Sequence, residues 1–270
     1  MRSVRAIAFA FCALVSLDPS AVGAGVEPRK PLSAEQIVAR SVSARGGLEA
    51  WQAVSTLALA GTLYTGKQDE TTLPIVVKLK RPNKSRLEID VQGHRMVQAF
   101  DGKSGWKMRR FHGQDIVAPY GPDDVASARA WERVASPPLI DHAREVMRVK
   151  LDGMEAIDGA PAYRLTLVRS DRSEQHVWVD AKSFLDVMYD DNLRRENGEV
   201  FTIATHYRDY RSVDGVNVPT SIEVVAGGAQ GSRKMVFKDL AINPSLADAV
   251  FSRPPDTQRA GVLSHVAPRP

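Results

Sequence analysis

The feature that most constrains the fold is a long succession of short segments in which apolar and polar residues alternate. The alternation spans residues 56–242 and is clearest where Leu87, Ile89 and Val91 alternate with charged residues. A period of two residues is typical of half-buried β-strands, because successive side chains point to opposite faces of a sheet. Turn pairs such as Asp101-Gly102 separate the segments. The chain is therefore expected to be built mainly from β-strands.

The short connections between these segments predict antiparallel pairing, since parallel strands need long crossovers. Strands are predicted over 57–63, 73–79, 86–92, 94–100, 104–111, 145–156, 161–169, 174–180, 184–191, 199–210, 217–226 and 232–242. A sheet with so many strands is expected to curl or to close on itself. Several strands are apolar on both faces, so one face packs a core and the other face needs a cover.

Two helical segments are the only cover that the sequence offers. The first begins at Ser33 with a capping box to Gln36 and ends at Gly46-Gly47. The second covers 123–136, with Asp123 as the expected N-cap and Pro137-Pro138 as its end. The sequence thus predicts a strongly curved antiparallel sheet with helices over its concave side.

The amino-terminal residues have the composition and order of a secretory signal peptide. Arg2 and Arg5 precede an apolar run over 6–17, and small residues follow up to Ala24. The run is shorter than the ~20 residues that a membrane-spanning helix needs, although a membrane anchor is the alternative interpretation. We expect a signal peptide over 1–24, a single domain over 25–255 and a flexible tail over 256–270.

Composition and motifs argue against several classes of function. The 36 Lys and Arg exceed the 32 acidic residues by a formal charge of +4, too little to indicate a nucleic-acid surface. The single cysteine, Cys12, lies in the apolar run, so thiol and disulfide chemistry are not expected after cleavage. No catalytic motif, metal-ligand spacing or cofactor loop is present. Asp123-Asp124 and Asp190-Asp191 are interpreted as a helix cap and a turn, and neither pair as a catalytic dyad.

Two groups of residues resemble a known family. Lys80-Arg81-Pro82-Asn83, then Asp101-Gly102-Lys103-Ser104-Gly105-Trp106 and Phe111, are similar to the motifs of the LolA-type carriers of outer-membrane lipoproteins. Ala44-Arg45-Gly46-Gly47-Leu48 and the segment 207–219, which contains Tyr207, Tyr210 and Asp214-Gly215, resemble the related lipoprotein-sorting proteins. The resemblance extends over most of residues 33–253.

The resemblance implies a mainly β (α+β) fold, an incomplete, strongly curved antiparallel β-barrel with helices as a lid over a hydrophobic cavity. It also implies that Arg81 holds the lid closed by hydrogen bonds to backbone carbonyls, with a surface position as the alternative. The chain departs from the family in having Ser85 where the carriers have an aromatic residue. It also has Arg109-Arg110 where they have Asn-Pro.

The inner face of the predicted sheet supplies the candidate lipid-binding residues. They are Leu57, Leu59, Leu63, Ile75, Val77, Leu87, Ile89, Val91, Trp106, Leu165, Leu167, Phe201, Ile203, Ile222 and Val224, with Trp131, Val134, Leu139 and Ile140 expected in the lid. Alternation alone does not separate an empty cavity from a filled core, and both interpretations stay open at this point. Trp106 is expected in the core, with a position at the border of the cavity as the alternative.

The resemblance implies a periplasmic carrier or chaperone that binds the acyl chains of lipoproteins or lipids and transfers them toward the outer membrane. Its implied partners are an inner-membrane exporter and an outer-membrane acceptor, and it is expected to be a monomer without metal or cofactor. The alternatives are a module that senses envelope lipid or lipoprotein, and a small-molecule enzyme on the same fold.

Overall fold

The structure, a computed structural model, describes residues 31–65, 71–142, 148–170, 172–194, 200–226 and 232–254. The chain divides into two units, Met1–Pro31 and Leu32–Pro270, and the described helices and strands belong to the second. The expected signal peptide over 1–24 and tail over 256–270 lie outside the described residues and stay predictions.

Helices are few and strands are many. The helices are α1 (Ala34–Ala44), α2 (Leu48–Ala53), α3 (Pro122–Ala135) and α4 (Pro138–Asp141). The strands are β1 (Thr56–Thr65), β2 (Thr71–Lys80), β3 (Lys84–Val91), β4 (His94–Phe100), β5 (Gly105–Phe111), β6 (Gln114–Pro119), β7 (Arg148–Ile157), β8 (Ala160–Val168), β9 (Glu174–Asp180), β10 (Asp186–Arg194), β11 (Val200–Val213), β12 (Val216–Ala226) and β13 (Ser232–Ile242). A short 3-10 turn, Asp248–Val250, follows the last strand.

All of these strands form one open, curved sheet of antiparallel neighbours. Its order is β6-β5-β4-β3-β2-β1-β13-β12-β11-β10-β9-β8-β7. Two meanders, β1 to β6 and β7 to β13, are therefore joined where the first strand pairs with the last, for example Leu59 with Leu240. The predicted mainly β fold with a curved antiparallel sheet is confirmed.

This strand order dictates where the helices lie. Strands β6 and β7 follow each other along the chain but form opposite edges of the sheet. The segment between them, which contains α3 and α4, must therefore cross from one edge toward the other. Helix α3 contacts β2 and β3, α4 contacts α1, and α1 contacts β7. The helices lie over the same face of the sheet, as the sequence predicts.

Three local expectations were wrong. Strand β6 was not predicted, because its apolar residues, Ile116, Val117 and Ala118, are consecutive and do not alternate. Helix α3 begins at Pro122 with Gly121 as its N-cap, and the Asp124 carboxylate accepts a hydrogen bond from the Gly121 N–H at 2.8 Å. Asp190 and Asp191, interpreted as a turn, lie within β10.

The two faces of the sheet carry different structures. On the face under the helices, apolar side chains from both meanders and from α1 to α4 form one buried cluster. On the opposite face, Val97, Ala99 and Trp106 form a second, smaller cluster. The pairing of Ala99 with Trp106 and of Arg86 with Ala99 places these side chains on the face opposite Leu87. Trp106 is therefore buried, as expected of a core residue, but it lies in the second cluster, so the alternative position at the border of the cavity is wrong.

The segment that follows β13 covers this second cluster. The Trp106 indole N–H donates to the Phe251 carbonyl at 3.0 Å, and an Arg86 N–H donates to the Val250 carbonyl at 3.0 Å. Lys80 pairs with Asp248 at 2.7 Å, and the Phe251 side chain is fully buried. The end of the described chain thus runs across the outer face from β1 to β5.

A buried ion pair fixes α1 and α2 to the second meander. An Arg45 guanidinium N–H donates to the Asp186 carboxylate of β10 at 3.1 Å and to the Tyr210 hydroxyl of β11 at 2.8 Å. The Arg45 carbonyl accepts from the Trp51 indole at 2.8 Å and from the Asn217 N–H at 2.9 Å. These contacts bring together the separate motifs that resemble the lipoprotein-sorting proteins.

Gly46 allows the helix end to approach β12 closely. Its φ is +109°, and a Cβ atom there would lie 2.1 Å from the Gly215 carbonyl oxygen. Any side chain at this position would push the end of α1 away from the turn before β12. The Ala-Arg-Gly-Gly and Asp-Gly motifs therefore have a structural role, since they contact each other.

We predict that Asp186→Ala lowers the free energy of unfolding by about 3–5 kcal/mol, because it leaves the Arg45 cation buried without its counter-ion. The matched control is Asp115→Ala, which removes the carboxylate of an exposed pair with Arg110. That change is expected to cost about 1 kcal/mol or less. Urea unfolding of the three proteins measures the difference, and equal stability of the two variants would contradict the role assigned to the buried pair.

Candidate functional site

The candidate site is the apolar face of the sheet beneath α3 and α4. Leu57 and Leu59 of β1, Val77 of β2 and Leu165 and Leu167 of β8 are almost completely buried in its main cluster. The further predicted residues that belong to the buried cluster are Leu63, Ile75, Ile222, Trp131, Val134, Leu139 and Ile140. Strand and helix side chains thus form one continuous apolar interior in which the helices fill the curve of the sheet.

The remaining predicted residues lie toward the margins of this interior. Leu87, Ile89 and Val224 are partly buried and pack against the main cluster. Val91 and Ile203 are half-buried. Phe201 lies in β11, and its side chain is outside the described part of the structure. Their use in lipid binding stays a prediction.

Two pockets flank α3. The smaller, of about 200 Å³, lies between α3 and the strands and is lined by Asn83, Phe100, Val125, Ala128 and Glu132. The larger, of about 480 Å³, surrounds the side chain of Arg81 and is lined also by Val54, Lys80, Ser136 and Asp141 among others. Both lie at the border between the helices and the end of β2, where a movement of the helices would change their volume.

Arg81 joins three helical segments at this border. One terminal N–H group donates to both carboxylate oxygens of Asp141 in α4, at 2.8 and 2.7 Å. The other donates to the Trp51 carbonyl of α2 at 2.7 Å, and Nε donates to the Ser136 hydroxyl after α3 at 3.1 Å. The Arg81 and Asp141 side chains are only 12% and 10% exposed. A guanidinium suits this position because it presents five fixed donors.

The carbonyl bonds of Arg81 agree with the resemblance, whereas its ion pair was not foreseen. Asp141 follows Pro-Leu-Ile in a stretch whose spacing gives no indication of a partner 60 residues away. Only the course of α3 and α4 over the sheet brings the two residues together. The latch role of Arg81 stays a prediction.

Polar groups also lie inside the apolar interior. Tyr189 and Tyr207 are buried and meet edge to face, with ring centroids 5.6 Å apart. Burial raises the pKa of Tyr207 to about 12, an effect that the nearby Arg133 guanidinium partly opposes. Burial likewise raises the pKa values of Tyr189 and Tyr210 well above the ordinary value. These phenols connect α3 with the Arg45–Asp186 pair.

The opposite face carries a separate polar network. Nδ1 of His176 lies 2.8 Å from an Asp190 carboxylate oxygen, and the Trp178 indole N–H donates to Glu155 at 2.9 Å. Among the described residues, no group of three or more His, Cys, Asp or Glu could hold a metal ion. In the same part of the chain, every helix is too short or too polar to cross a membrane.

Comparison of the structure with solved structures gives matches over almost the whole described fold. A DUF1329 family protein from Desulfovibrio piger is 13% identical, with a TM-score of 0.56 and coverage of 82% of this chain and 98% of that one. A LolA superfamily protein from Nitrosomonas europaea is 16% identical, with a TM-score of 0.50 and coverage of 83% and 99%. A putative outer-membrane lipoprotein-sorting protein domain from Vibrio parahaemolyticus is 12% identical, with a TM-score of 0.49 and coverage of 81% and 95%.

At the level of the sequence there is no match to any family model or curated protein. The structural matches define the class of fold: an open, curved antiparallel sheet with few helices, similar to that of LolA superfamily proteins. The resemblance found in the sequence is confirmed as a resemblance of fold. At these identities the similarity concerns the fold alone.

The raised pKa of Tyr207 predicts a loss of stability at high pH. Its ordinary pKa is near 10 and its native pKa is about 12, so the unfolded chain loses this proton first as the pH rises. The free energy of unfolding should fall between about pH 10 and 12, by about 1–3 kcal/mol from this residue. Chemical denaturation of the wild type and of Tyr207→Phe across this range measures the effect.

Tyr207→Phe should show a shallower fall than the wild type, since Tyr189, Tyr210 and Tyr120, whose pKa values are also raised, contribute to what remains. At pH 7 the phenols are protonated in both proteins. Measurement there shows how much the substitution itself changes the free energy of unfolding. Parallel curves from pH 9 to 12 would contradict the prediction.

Proposed function

We propose that the protein is a periplasmic carrier that binds the acyl chains of a lipid or lipoprotein between its sheet and the helices α3 and α4. The observation that carries the proposal is the continuous apolar interior, which is closed on one side by a helical segment and not by a second sheet. A helical segment that crosses from edge to edge has few backbone bonds to the strands beneath it. It can therefore be displaced without breaking the pairing of the strands.

The interior is filled in this conformation, so binding would be an exchange. Trp131, Val134, Leu139 and Ile140 occupy the space that an acyl chain would take. An acyl chain of ~14 methylenes gains on the order of 11 kcal/mol on leaving water, at ~0.8 kcal/mol per methylene. Displacement of the helices exposes some of their own apolar surface, which opposes this gain. A near balance of the two terms permits both uptake and release.

Polar contacts at the edge of the interior would set this balance. The Arg81–Asp141 pair and the Trp51 and Ser136 bonds of Arg81 exist only while α2, α3 and α4 are together. They stabilise the closed form without occupying the interior. A donor or acceptor protein that competes for Arg81 or Asp141 would shift the protein toward its open form. An inner-membrane exporter and an outer-membrane acceptor would be partners of this kind.

Removal of the Arg81 side chain should open the helices. We expect Arg81→Ala to raise the open population roughly tenfold, because the lost bonds stabilise the closed form alone. Hydrogen exchange of the amides over 122–141 should then become faster by a similar factor, while the strands stay protected. Arg81→Lys should have an intermediate effect, since an ammonium group lacks the planar fork.

The control for this experiment is Arg211→Ala, which removes an exposed guanidinium that bonds to the Lys238 carbonyl at 2.8 Å. Its exchange over 122–141 should match that of the wild type. If Arg81→Ala also leaves this exchange unchanged, Arg81 is not a latch.

A second experiment tests whether ligands bind beneath the helices. An environment-sensitive apolar dye should bind the native protein stoichiometrically, and a fatty acid should displace it. In a Cys12→Ser background, Pro82→Cys with Ser136→Cys introduces a cross-link between residues in contact, since the Ser136 hydroxyl lies 3.3 Å from the Pro82 carbonyl. The oxidised form should take up dye at least about tenfold more slowly than the same protein after reduction.

The results distinguish a wrong route of ligand entry from the absence of a ligand-binding interior. Equal uptake by the oxidised and reduced forms would mean that the ligand does not enter beneath α3. Absence of dye binding by a well-folded wild type would mean that the interior is an ordinary core, and the carrier function would be abandoned.

A further inference from the structure

An exposed apolar patch lies on the concave face beyond the cover of α3. Met96 of β4, Phe111 of β5 and Ile116 of β6 are 40%, 54% and 39% exposed. Isolated exposed apolar residues are common on protein surfaces, whereas a contiguous group on one face indicates a contact surface. We refer to these three residues and Arg109 as the β4–β6 patch.

The strand register places the patch on a single face. Arg109 pairs directly with Ile116, and Phe111 lies two residues further along β5. Met96 pairs with Ile89 of β3, and its neighbour Val97 pairs with Met108. Because side chains alternate along a strand, all four patch residues share the face that carries Ile89.

Helix α3 leaves this region uncovered. The helix is held over the other end of β5, where Lys107 pairs with Asp124 at 2.6 Å. The patch lies at the opposite end, where the β3–β4 and β5–β6 hairpins turn. Ile89, which is half-buried, connects the exposed side chains with the main buried cluster. The apolar interior thus continues to the surface at this end of the sheet.

A positive charge lies within the patch. Arg109 is exposed and has no ion-pair partner in the described part of the chain, although Ile116 lies directly across from it. Arg95 and Arg110, on the opposite face of the same strand ends, are in contrast paired with Glu88 and Asp115. An apolar protein partner would bury the Arg109 guanidinium without a counter-ion, which is unfavourable. An anionic lipid surface would supply phosphate groups to the guanidinium and an apolar layer to its neighbours.

We propose that the β4–β6 patch docks the protein on an anionic phospholipid membrane surface. Phe111, Ile116 and Met96 enter the boundary between headgroups and acyl chains, while Arg109 contacts lipid phosphate. The patch thereby places the uncovered end of the apolar interior against the bilayer. This docking goes beyond the carrier function, since it concerns a surface outside the helices and would be present whether or not the interior accepts a ligand.

Flotation with lipid vesicles tests the docking, with the protein purified in the form that accumulates in cells. The wild type should bind vesicles containing 30% phosphatidylglycerol in phosphatidylcholine and should bind pure phosphatidylcholine more weakly. Phe111→Ser with Ile116→Ser should lower binding to both compositions at least tenfold. Arg109→Gln should lower binding to the anionic vesicles alone, by about fivefold.

The control variants remove exposed side chains elsewhere on the sheet. Met154→Ser changes the other edge strand at a residue that is 55% exposed, and Arg211→Gln removes an exposed charge from β11. Both should bind vesicles like the wild type. Since every substituted side chain is already exposed, thermal unfolding should be unchanged within a few degrees, which separates loss of docking from loss of folding.

A site-specific probe gives an independent measurement. In a Cys12→Ser background, the emission of a polarity-sensitive fluorophore on Phe111→Cys should shift to the blue with anionic vesicles, and that of one on Met154→Cys should not.

Equal vesicle binding by the wild type and the patch variants would overturn the proposal. So would patch-dependent dimerisation in sedimentation velocity without vesicle binding, because the patch would then join two copies of the chain. Dye uptake is measured in parallel, so that failure of docking and failure of the carrier function are distinguished.

Discussion

The structure depends on one buried ion pair, Arg45–Asp186, which is 2% and 4% exposed at its two side chains. Burial alone would lower the pKa of Arg45, but Asp186 and the neighbouring tyrosines raise it above the ordinary value, so the guanidinium stays charged. A buried charge of this kind requires its partner, because solvent cannot replace the lost contact. The pair therefore fixes α1 to the second meander and, through the Trp51 indole, fixes α2 as well.

The position of α2 also determines where Arg81 can bind the helices. The Trp51 side chain bonds to Arg45, while the Trp51 carbonyl accepts a hydrogen bond from Arg81. Trp51 thus connects two sets of contacts. Its indole belongs to the attachment of α1 and α2 to the second meander, and its carbonyl belongs to the Arg81 contacts that would have to break on opening. The buried pair holds α1 and α2 in place, and the Arg81 contacts join them to α3 and α4. In the proposed carrier, the two cations would divide the helical layer into α1 and α2, which stay in place, and α3 and α4, which are displaced.

Much of the sheet could be predicted from the sequence because its strands alternate and its turns carry Asp-Gly pairs. The partners of the key cations could not, since Asp186 and Asp141 lie far along the chain from Arg45 and Arg81 and only the strand order brings them close. The burial of Trp106 could be predicted, but its face could not, because both faces of β5 carry large side chains and alternation alone does not indicate which one lies under the helices. Strand β6 was missed since its apolar residues are consecutive, and with it the exposed edge that completes the patch.

The pairing of the first strand with the last also affects how the chain can fold. Strand β1 has its place between β2 and β13, and the segment after β13 then covers the outer face as far as β5. The sheet is therefore continuous only after the last strand has been synthesised, and its central contact joins the most distant strands in the sequence. Contacts of such high sequence separation make folding slow. A nascent chain would therefore remain incompletely folded until β13 had left the ribosome.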